Sequence, residues 1–346
     1  MKRVIVILLI ITIMTVPVRA AELSAPTVPK SAEKFMPSSQ SDFTQGLLEV
    51  LRDALLFFRP NLKEAASVCL SILSIIIAAS LLRCFPGASE RSANLATCIG
   101  ISLLLLHATN SLISLAASTV AEISEYGKLL LPVMTAAMAG QGAVGTSAAL
   151  YSATALFDAL LTSIIRNILT PMVYLYLALS IAASAIGEEM LSKLRDTMKG
   201  VMTWCLKTIL YIYTGFISIS GVVSGATDAA ALKAAKLTIS SVVPVVGSIL
   251  SDASEAVLVA AGTVKNASGI YGLFAVIAIW IGPFLQIGSH YLLLKATGAL
   301  CSVFGSKEST ALIQDFSAAM GFLLAMTGTV CLMLLISLVC FLKGVG

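Results

Sequence analysis

Residues 317–342 decide the fold class. They read SAAMGFLLAMTGTVCLMLLISLVCFL, 26 residues without a charged side chain. A helix rises about 1.5 Å per residue, so this stretch is long enough to cross the roughly 30 Å hydrocarbon core of a bilayer. The whole chain of 346 residues has the same character, with 58% hydrophobic and 12% charged residues. A soluble globular protein carries about 25% charged residues, so the sequence predicts a membrane protein.

Stretches that are free or nearly free of charge recur along the chain before this one. Because a charged side chain at mid-bilayer costs roughly 2.5 to 3.5 kcal/mol on insertion scales, such stretches are the best candidates for membrane spans. They predict an all-α polytopic membrane protein with about six transmembrane helices. The predicted spans are 65–82, 95–118, 167–186, 201–223, 268–294 and 317–342.

Two further apolar stretches, residues 129–161 and 237–261, differ in composition. From Met134 to Ala155, 16 of 22 residues are Gly, Ala, Ser or Thr. Small residues let helix backbones approach closely, and irregular backbone in a membrane must be covered by protein or face water. We therefore expect two broken re-entrant hairpins buried among the spans. The residues predicted to bend or break them are Pro132, Gly140, Gly142 and Gly145 in the first, and Pro244, Gly247 and Asp252 in the second.

Two proline pairs indicate an internal duplication. Pro132 and Pro171 are 39 residues apart, as are Pro244 and Pro283, so an offset of 112 superposes the two pairs. Each predicted hairpin is followed by a span, a charged connector and another span. The predicted repeat units run from about 125 to 224 and from 237 to 342. If each hairpin leaves the membrane on the side it entered, the halves are parallel, unlike the inverted repeats of many transporters.

The first 20 residues predict a secretory signal peptide. Lys2 and Arg3 precede an apolar run of 13 residues from Val4 to Val16, and small residues follow at Ala20 and Ala21. This is the pattern of a signal that is cleaved, here after Ala20. A permanent first span is the alternative, but the run is shorter than the roughly 20 residues a span needs. The mature N-terminus is therefore predicted to be extracytoplasmic.

Residues 21–64 are predicted to form an extracytoplasmic arm, followed by a multi-span membrane domain at 65–346. Three prolines and few apolar groups in 21–41 favour a flexible segment. Apolar residues then recur at helical spacing and predict an amphipathic helix, which either packs on the membrane domain or serves as an interfacial or docking helix. The apolar positions of this helix are Phe43, Leu47, Val50, Leu51, Ala54, Leu55 and Phe58.

Charge and motif patterns argue against several function classes. Without the predicted signal, 19 basic residues stand against 18 acidic ones, which gives no clustered basic footprint for nucleic acid. The seven cysteines lie in or beside apolar runs without a CxxC pair, and neither an HExxH nor a P-loop motif occurs. We therefore predict no metal, no cofactor, no nucleic-acid partner and no enzymatic activity.

Three acidic residues in the small-residue stretches are candidates for function. Asp158 lies in the first stretch, and Asp252 and Glu255 lie in the second. An acid inside a membrane must be paired, neutral or facing water, so one interpretation is a polar lining for an ion or solute path. The other interpretation is a helix cap or a surface acid, and the run from Ser251 to Glu255 is typical of a helix start. Together with the prolines and glycines above, these acids form the set of structural or conduit candidates.

Two blocks of sequence carry a resemblance that covers nearly the whole chain. One reads SVVPVVGSILSDASE at 241–255 and continues as KNASGIYG at 265–272, and the other reads LLLPVM at 129–134, followed by a Gly-rich turn and Ser147-Ala148-Ala149. With these blocks, the signal peptide, the arm and the spans, the chain resembles the stage III sporulation protein AE family of endospore-forming bacteria.

The resemblance implies a multi-pass protein of the mother-cell membrane around the forespore. It further implies a place in a channel-like, secretion-like complex that supports late forespore gene expression. The implied partners are the other stage III sporulation A-operon membrane and ring proteins and, indirectly, stage II sporulation protein Q. The family supplies no catalytic residues. A stand-alone secondary transporter or permease is the alternative, because broken helices and internal repeats are also typical of transporters.

Overall fold

A computed structural model of the chain describes residues 25–37, 43–82, 90–242, 247–304 and 306–343. Within 218–242 and 247–265 the description is limited to the helical backbone. Every long element in these ranges is an α-helix, and none of the described residues forms a strand. The predicted all-α fold class is therefore confirmed.

The described residues form eight α-helices and one π-helical segment. In chain order they are α1 (Lys30–Glu33), α2 (Phe43–Leu82), α3 (Glu90–Gly140), α4 (Val144–Ile164), the π segment (Ile165–Leu169), α5 (Thr170–Ile186), α6 (Glu189–Val242), α7 (Gly247–Phe304) and α8 (Lys307–Lys343).

Among the described residues, six helical stretches are long and apolar enough to cross a membrane, which agrees with the predicted number. Each overlaps one predicted span, and the chain is a multi-pass membrane protein. The six stretches are Gln45–Leu81, Arg91–Gly140, Val144–Ile186, Glu189–Ile217, Asn266–Val303 and Lys307–Lys343.

The helices are longer than the spans predicted for them. Helix α3 has 51 residues. At about 1.5 Å per residue, a helix of that length is roughly 75 Å long, more than twice the hydrocarbon thickness of about 30 Å. The predicted span 95–118 and the first arm of the predicted hairpin are therefore one continuous helix. The amphipathic helix and the first span are likewise joined in α2, which continues through Pro60.

The α3 helix and the α4–α5 stretch form a long antiparallel pair. The Cys98 thiol lies 3.6 Å from the Ser184 carbonyl near one end, and the Ser124 hydroxyl lies 2.5 Å from the Asp158 carboxylate near the other. We call the end with the 187–188 link the connector end and the end with residues 141–143 the hairpin end.

Helix α8 is the centre of the bundle. The most apolar part of α8 is 61% buried, whereas the corresponding parts of the other five span candidates are 28% to 50% buried. It packs against α3, α4, α5, α6 and α7. Its buried apolar residues include Leu312, Ile313, Phe316, Met320, Leu323, Met326, Val330, Leu334, Leu338 and Phe341.

The first small-residue stretch contains the predicted break. Helix α3 ends at Gly140, Gly142 adopts φ +92°, and α4 begins at Val144, so Gly145 lies in its first turn. The left-handed conformation at Gly142 is one that glycine adopts at no steric cost. Pro132 lies inside α3, eight residues before the helix ends. The two arms continue directly into long helices and are not separate half-helices; re-entry into the membrane stays a prediction.

The π segment explains how α4 continues into α5 through Pro171. A proline inside a helix lacks the N–H donor and clashes with the carbonyl four residues earlier, here that of Asn167. The one-residue widening of Ile165–Leu169 lies directly before this proline and relieves the conflict. The Ile165 carbonyl accepts both the Thr170 backbone N–H and, at 2.9 Å, the Thr170 hydroxyl, which fixes the widened turn.

The second small-residue stretch differs from the prediction at one position. Helix α6 ends at Val242 and α7 begins at Gly247, so Pro244 lies outside the described residues. Asp252 was expected to interrupt the stretch, but the backbone of α7 is helical through Asp252 and Glu255. Pro283 also lies inside α7. The internal duplication and its repeat boundaries stay predictions.

The N-terminal arm packs on the bundle in its described part. Ala32 and Phe35 are 0% and 2% exposed, although the scarcity of apolar residues favoured a flexible segment. A single aromatic anchor accounts for the difference, because Phe35 contacts the Phe57 ring edge-to-face at 5.4 Å between centroids. The Lys34 ammonium also lies 3.9 Å from the Phe57 centroid, and such cation–π contacts stabilise by about 0.5 to 1 kcal/mol at exposed sites.

The amphipathic part of α2 buries only some of its predicted apolar face. Val50 and Ala54 are buried, whereas Leu51 and Leu55 are 47% and 66% exposed. The exposed leucines lie on the side of α2 that faces away from the bundle. This part of α2 therefore presents apolar side chains to lipid or to another protein.

Candidate functional site: buried polar clusters on the central helix

A buried ion pair joins α6 to α8 toward the connector end. Arg195 Nη1 donates a hydrogen bond of 2.8 Å to Asp315 Oδ2, and the two side chains are 15% and 12% exposed. Arg195 Nε also donates to Asp196 Oδ1 at 3.0 Å, and Asp196 is largely exposed. A charge pair with so little contact with solvent is stable only if its remaining polar atoms are also bonded.

Tyr176 completes the bonding of the Asp315 carboxylate. The Tyr176 hydroxyl, on α5, donates to Asp315 Oδ1 at 3.0 Å, and the tyrosine is fully buried. Its ring also packs edge-to-face on Phe322, with centroids 5.8 Å apart. We call Tyr176, Arg195 and Asp315 the ion-pair cluster. It links three helices, and each carboxylate oxygen of Asp315 accepts a hydrogen bond.

The burial of the ion-pair cluster makes it a candidate functional site. Tyr176 lies at the middle of the span predicted at 167–186. A charged side chain inside a membrane protein is expensive unless paired, and it marks a functional site by default. The arrangement can lock α6 and α8 together while the pair is closed, and it can expose two opposite charges if the helices separate.

A second polar cluster lies closer to the hairpin end. Asp158 on α4 is 7% exposed and accepts a hydrogen bond of 2.5 Å from the Ser124 hydroxyl on α3. The hydroxyls of Thr154 and Ser337 bond to each other between α4 and α8. The Tyr213 hydroxyl on α6 donates to the Met333 carbonyl on α8 at 3.0 Å. We call Ser124, Thr154, Asp158, Tyr213 and Ser337 the hydroxyl cluster.

The structure places Asp158 inside the hydroxyl cluster. The acid is buried between α3 and α4, so it is neither a helix cap nor a surface residue. Lys128, four residues after Ser124, is the basic group whose charge acts on it. The aspartate thus has a hydrogen-bond donor and a nearby positive charge, as a buried carboxylate requires.

The other sequence-predicted candidates are not gathered into either polar cluster. Gly140, Gly142 and Gly145 lie at the apex between α3 and α4. Pro132, Pro171 and Pro283 lie in three different helices, α3, α5 and α7. Gly247, Asp252 and Glu255 are described as helical backbone, and Pro244 lies outside the described residues.

The ion-pair cluster was not predicted from the sequence. Arg195 and Asp315 lie in the charged connectors of the two predicted repeat units, at 188–200 and 307–321. The sequence around Asp315 does contain a pattern that indicates burial. Leu312, Phe316 and Met320 are apolar at helical spacing and show that α8 begins before the predicted span. Asp315 lies beside this stripe, at helical spacing from the apolar Ala319 and Phe322. Nothing comparable in the sequence singled out Tyr176, which is one of many aromatic residues in the spans.

The two signature blocks, which are far apart in sequence, contact each other in the bundle. A Cβ built on Gly272 of α7 would lie 2.5 Å from Leu130 Cδ2 of α3. A Cβ on Gly269 would lie 2.5 Å from Leu342 Cδ2 of α8 and 3.0 Å from Met134 Cε of α3. A larger residue at either glycine would displace these side chains, so the KNASGIYG and LLLPVM blocks are two sides of one packing interface.

Comparison with known proteins agrees with these blocks. Residues 31–344 match the family described as Stage III sporulation protein AE. The chain belongs to this family. Among curated proteins, it is similar to the Stage III sporulation protein AE of Bacillus subtilis (strain 168), with 26% identity over 238 residues. The matched region is 68% of this chain and 59% of that relative. No solved structure matches the chain.

Membership in the Stage III sporulation protein AE family supports a role in sporulation. The family is named for a stage of sporulation. The buried clusters therefore have to be interpreted first as parts of a membrane component, and their chemistry is that of charge pairing and helix contact.

Proposed function

We propose that this chain is a membrane component of a sporulation-specific channel or secretion-like complex that links mother cell and forespore. In this proposal it lies in the mother-cell membrane around the forespore and supports late forespore gene expression. The observation that carries the proposal is the family match over residues 31–344 on a bundle of six span-length helices. We propose no catalytic activity and no cofactor for the chain.

The proposed partners are the other membrane and ring proteins of the stage III sporulation A operon and, through them, stage II sporulation protein Q. The arm and the apex at Gly142 both lie at the hairpin end. With an extracytoplasmic mature N-terminus, this end would face the space between the two membranes, where a ring would assemble. The exposed leucines of α2, such as Leu48 and Leu55, are available for packing with a second membrane subunit.

Within this proposal the two polar clusters act as locks between helices. Buried polar contacts are worth little net stability compared with apolar packing, but they select one helix arrangement. The ion-pair cluster joins α5, α6 and α8, and the hydroxyl cluster joins α3, α4, α6 and α8. A subunit that lines or supports a conduit needs such a defined arrangement.

A stand-alone secondary transporter or permease is the second candidate. The observation that favours it is the buried charge of Asp158, Arg195 and Asp315, since transporters place ionisable groups on the path of their coupling ions. The family match favours the first candidate, because a family defined by a sporulation stage indicates a developmental role.

Two experiments on the full chain distinguish these candidates. Deletion of the gene, followed by complementation, tests for arrest at one stage of sporulation with loss of late forespore gene expression. Affinity purification from sporulating cells tests for co-purification with the operon's ring proteins. Coupled solute uptake by vesicles that contain the purified chain alone would overturn the complex-component proposal.

A further inference from the structure

A groove between α6 and α7 opens on the side of the bundle, with α8 as its floor. Its volume is about 370 Å³, which lies within the range of small-molecule binding sites. Leu206, Leu210 and Phe322 form its apolar surface, and Thr203, Tyr291 and Thr329 contribute polar groups. The groove is separate from the ion-pair cluster, although Phe322 borders both.

The charge of the groove is positive. Lys199 and Lys207 line it from α6, and its lining, which consists entirely of described residues, contains no carboxylate. Neither lysine forms a salt bridge with a carboxylate among the described residues. A third lysine, Lys295, donates to the Tyr291 hydroxyl at 3.2 Å and adds positive charge at the rim. Two lysines that face an apolar groove need an anion or water as a partner.

The position of the groove points to lipid as the source of that anion. Lys207 lies in the apolar part of α6, between Trp204 and Tyr211, which are 69% and 71% exposed. Exposed aromatic residues of this kind are enriched where a helix meets the lipid headgroups. A lysine at this depth extends its four-carbon stem toward the headgroup region. Basic pockets between transmembrane helices are known to hold anionic headgroups.

We propose that this groove binds an anionic phospholipid. The phosphate of the headgroup lies between the Lys199 and Lys207 ammonium groups, with the Tyr291 hydroxyl as a further hydrogen-bond donor. One acyl chain follows the apolar surface of Leu206, Leu210 and Phe322. The bound lipid fills the gap between α6 and α7 and fixes the distance between these helices.

The test uses the full chain reconstituted in vesicles of phosphatidylglycerol and phosphatidylcholine. After detergent extraction, the lipid retained by the protein is quantified by mass spectrometry. Phosphatidylglycerol should be enriched over phosphatidylcholine in the wild type. The double variant Lys199→Gln and Lys207→Gln should lower that enrichment at least about tenfold, because each lysine contributes a comparable electrostatic attraction to the lipid phosphate.

Two further variants control for charge and folding. Lys307→Gln with Lys343→Gln removes the same charge away from the groove and should leave the enrichment unchanged. Lys199→Arg with Lys207→Arg keeps the charge and should retain the lipid, which separates lipid binding from a folding defect. Equal enrichment in the wild type and the Lys199→Gln/Lys207→Gln variant would overturn the proposal.

Competition distinguishes the source of the phosphate. Inorganic phosphate in excess should not displace the lipid, because it lacks the acyl chain that contacts the apolar surface. Displacement by inorganic phosphate would show that the groove holds a free anion and would refute the lipid site. Loss of self-association in the Lys199→Gln/Lys207→Gln variant, without a change in bound lipid, would assign the groove to a second copy of the chain and would also refute it.

Discussion

Arg195 donates a hydrogen bond of 2.8 Å to Asp315 across 120 residues of sequence. The bond joins α6 to the central helix α8, and Tyr176 holds the same carboxylate from α5. The consecutive helices α5 and α6 thus meet the distant helix α8 at one carboxyl group. The cluster therefore fixes the arrangement of these three helices through a pair of buried, opposite charges.

Removal of one member of the pair should destabilise the bundle more than removal of both. Asp315→Leu leaves the Arg195 guanidinium buried without its main partner, which costs about 3 to 5 kcal/mol in comparable cases. Arg195→Met combined with Asp315→Leu should recover most of that loss. Thermal unfolding of the purified chain in detergent measures the loss in the single variant and the recovery in the double variant. An exposed pair provides the control, and Lys193→Gln, which breaks the contact with Glu189, should change stability little.

The contact of the two signature blocks should not tolerate a methyl group. In Gly272→Ala the new Cβ would lie 2.5 Å from Leu130 Cδ2, so the Leu130 side chain or one of the two helices has to shift. Overpacking of this kind costs typically about 1 to 3 kcal/mol. Gly288→Ala is the matched control on the same helix, because an added Cβ there meets no described atom within 4 Å. Membrane accumulation and the unfolding temperature are measured for both variants. If Gly272→Ala and Gly288→Ala behave equally, the contact is refuted.

A second change tests whether that clash is local. Leu130→Ala in the Gly272→Ala background removes the atoms that the new methyl group meets. The double variant should therefore be more stable than the sum of the two single losses predicts, since contacting residues couple by about 0.5 to 3 kcal/mol. Additive losses would mean that the two blocks do not touch.

The apex should prefer residues that tolerate a left-handed backbone. Gly142 has φ +92°, a conformation that alanine adopts only with strain. Gly142→Ala should therefore lower stability by about 1 kcal/mol, and Gly142→Asn should lower it less, because asparagine enters this region more readily. The unfolding temperature of each variant in detergent provides the measurement. An alanine variant as stable as the asparagine variant would contradict the turn conformation.

Variants of Asp158 distinguish a structural role of this residue from a role in an ion path. Asp158→Asn keeps an acceptor for the Ser124 hydroxyl but removes the charge. If the residue serves helix contact, the variant should accumulate normally and support sporulation. Loss of late forespore gene expression in a chain that accumulates and unfolds like the wild type would assign the charge itself a function. Asp158→Leu, which removes the acceptor as well, should reduce stability in either case.

Labelling with a membrane-impermeant thiol reagent tests the predicted orientation. A cysteine introduced at the exposed Thr27 should react from outside the cell membrane, and one at the exposed Glu188 in the connector end should react only after permeabilisation. The reverse pattern would place the hairpin end in the cytoplasm. The wild-type chain, whose described cysteines are buried or partly buried, provides the background signal.

The sequence predicted the helices of span length well, because the apolar pattern that indicates them is local. A stretch such as 317–342 is apolar over the length of a span whatever it packs against, and six such stretches give six candidate helices. The break near Gly142 was equally predictable, since clustered glycines weaken a helix in any surroundings. The family resemblance followed from blocks of consecutive residues, and the match over residues 31–344 confirms it.

The ion-pair cluster was not predictable in the same way. Arg195 and Asp315 each lie among other charged residues, so their local sequences indicate exposed connectors. Their burial depends on partners 120 and 139 residues away along the chain. Asp158 was recognised as a candidate, but the choice between a surface acid and a buried one required the position of Ser124.

The sequence by itself determined that this chain is an all-α membrane protein of the Stage III sporulation protein AE family. The length of an apolar stretch and a motif of consecutive residues are properties of single segments. They can be recognised without knowing which segments they contact. Only the tertiary structure decided which helix is central, which charges are buried and which face of α6 and α7 forms a groove. Those features arise from contacts between distant segments, where burial and pairing set the energy of a charge.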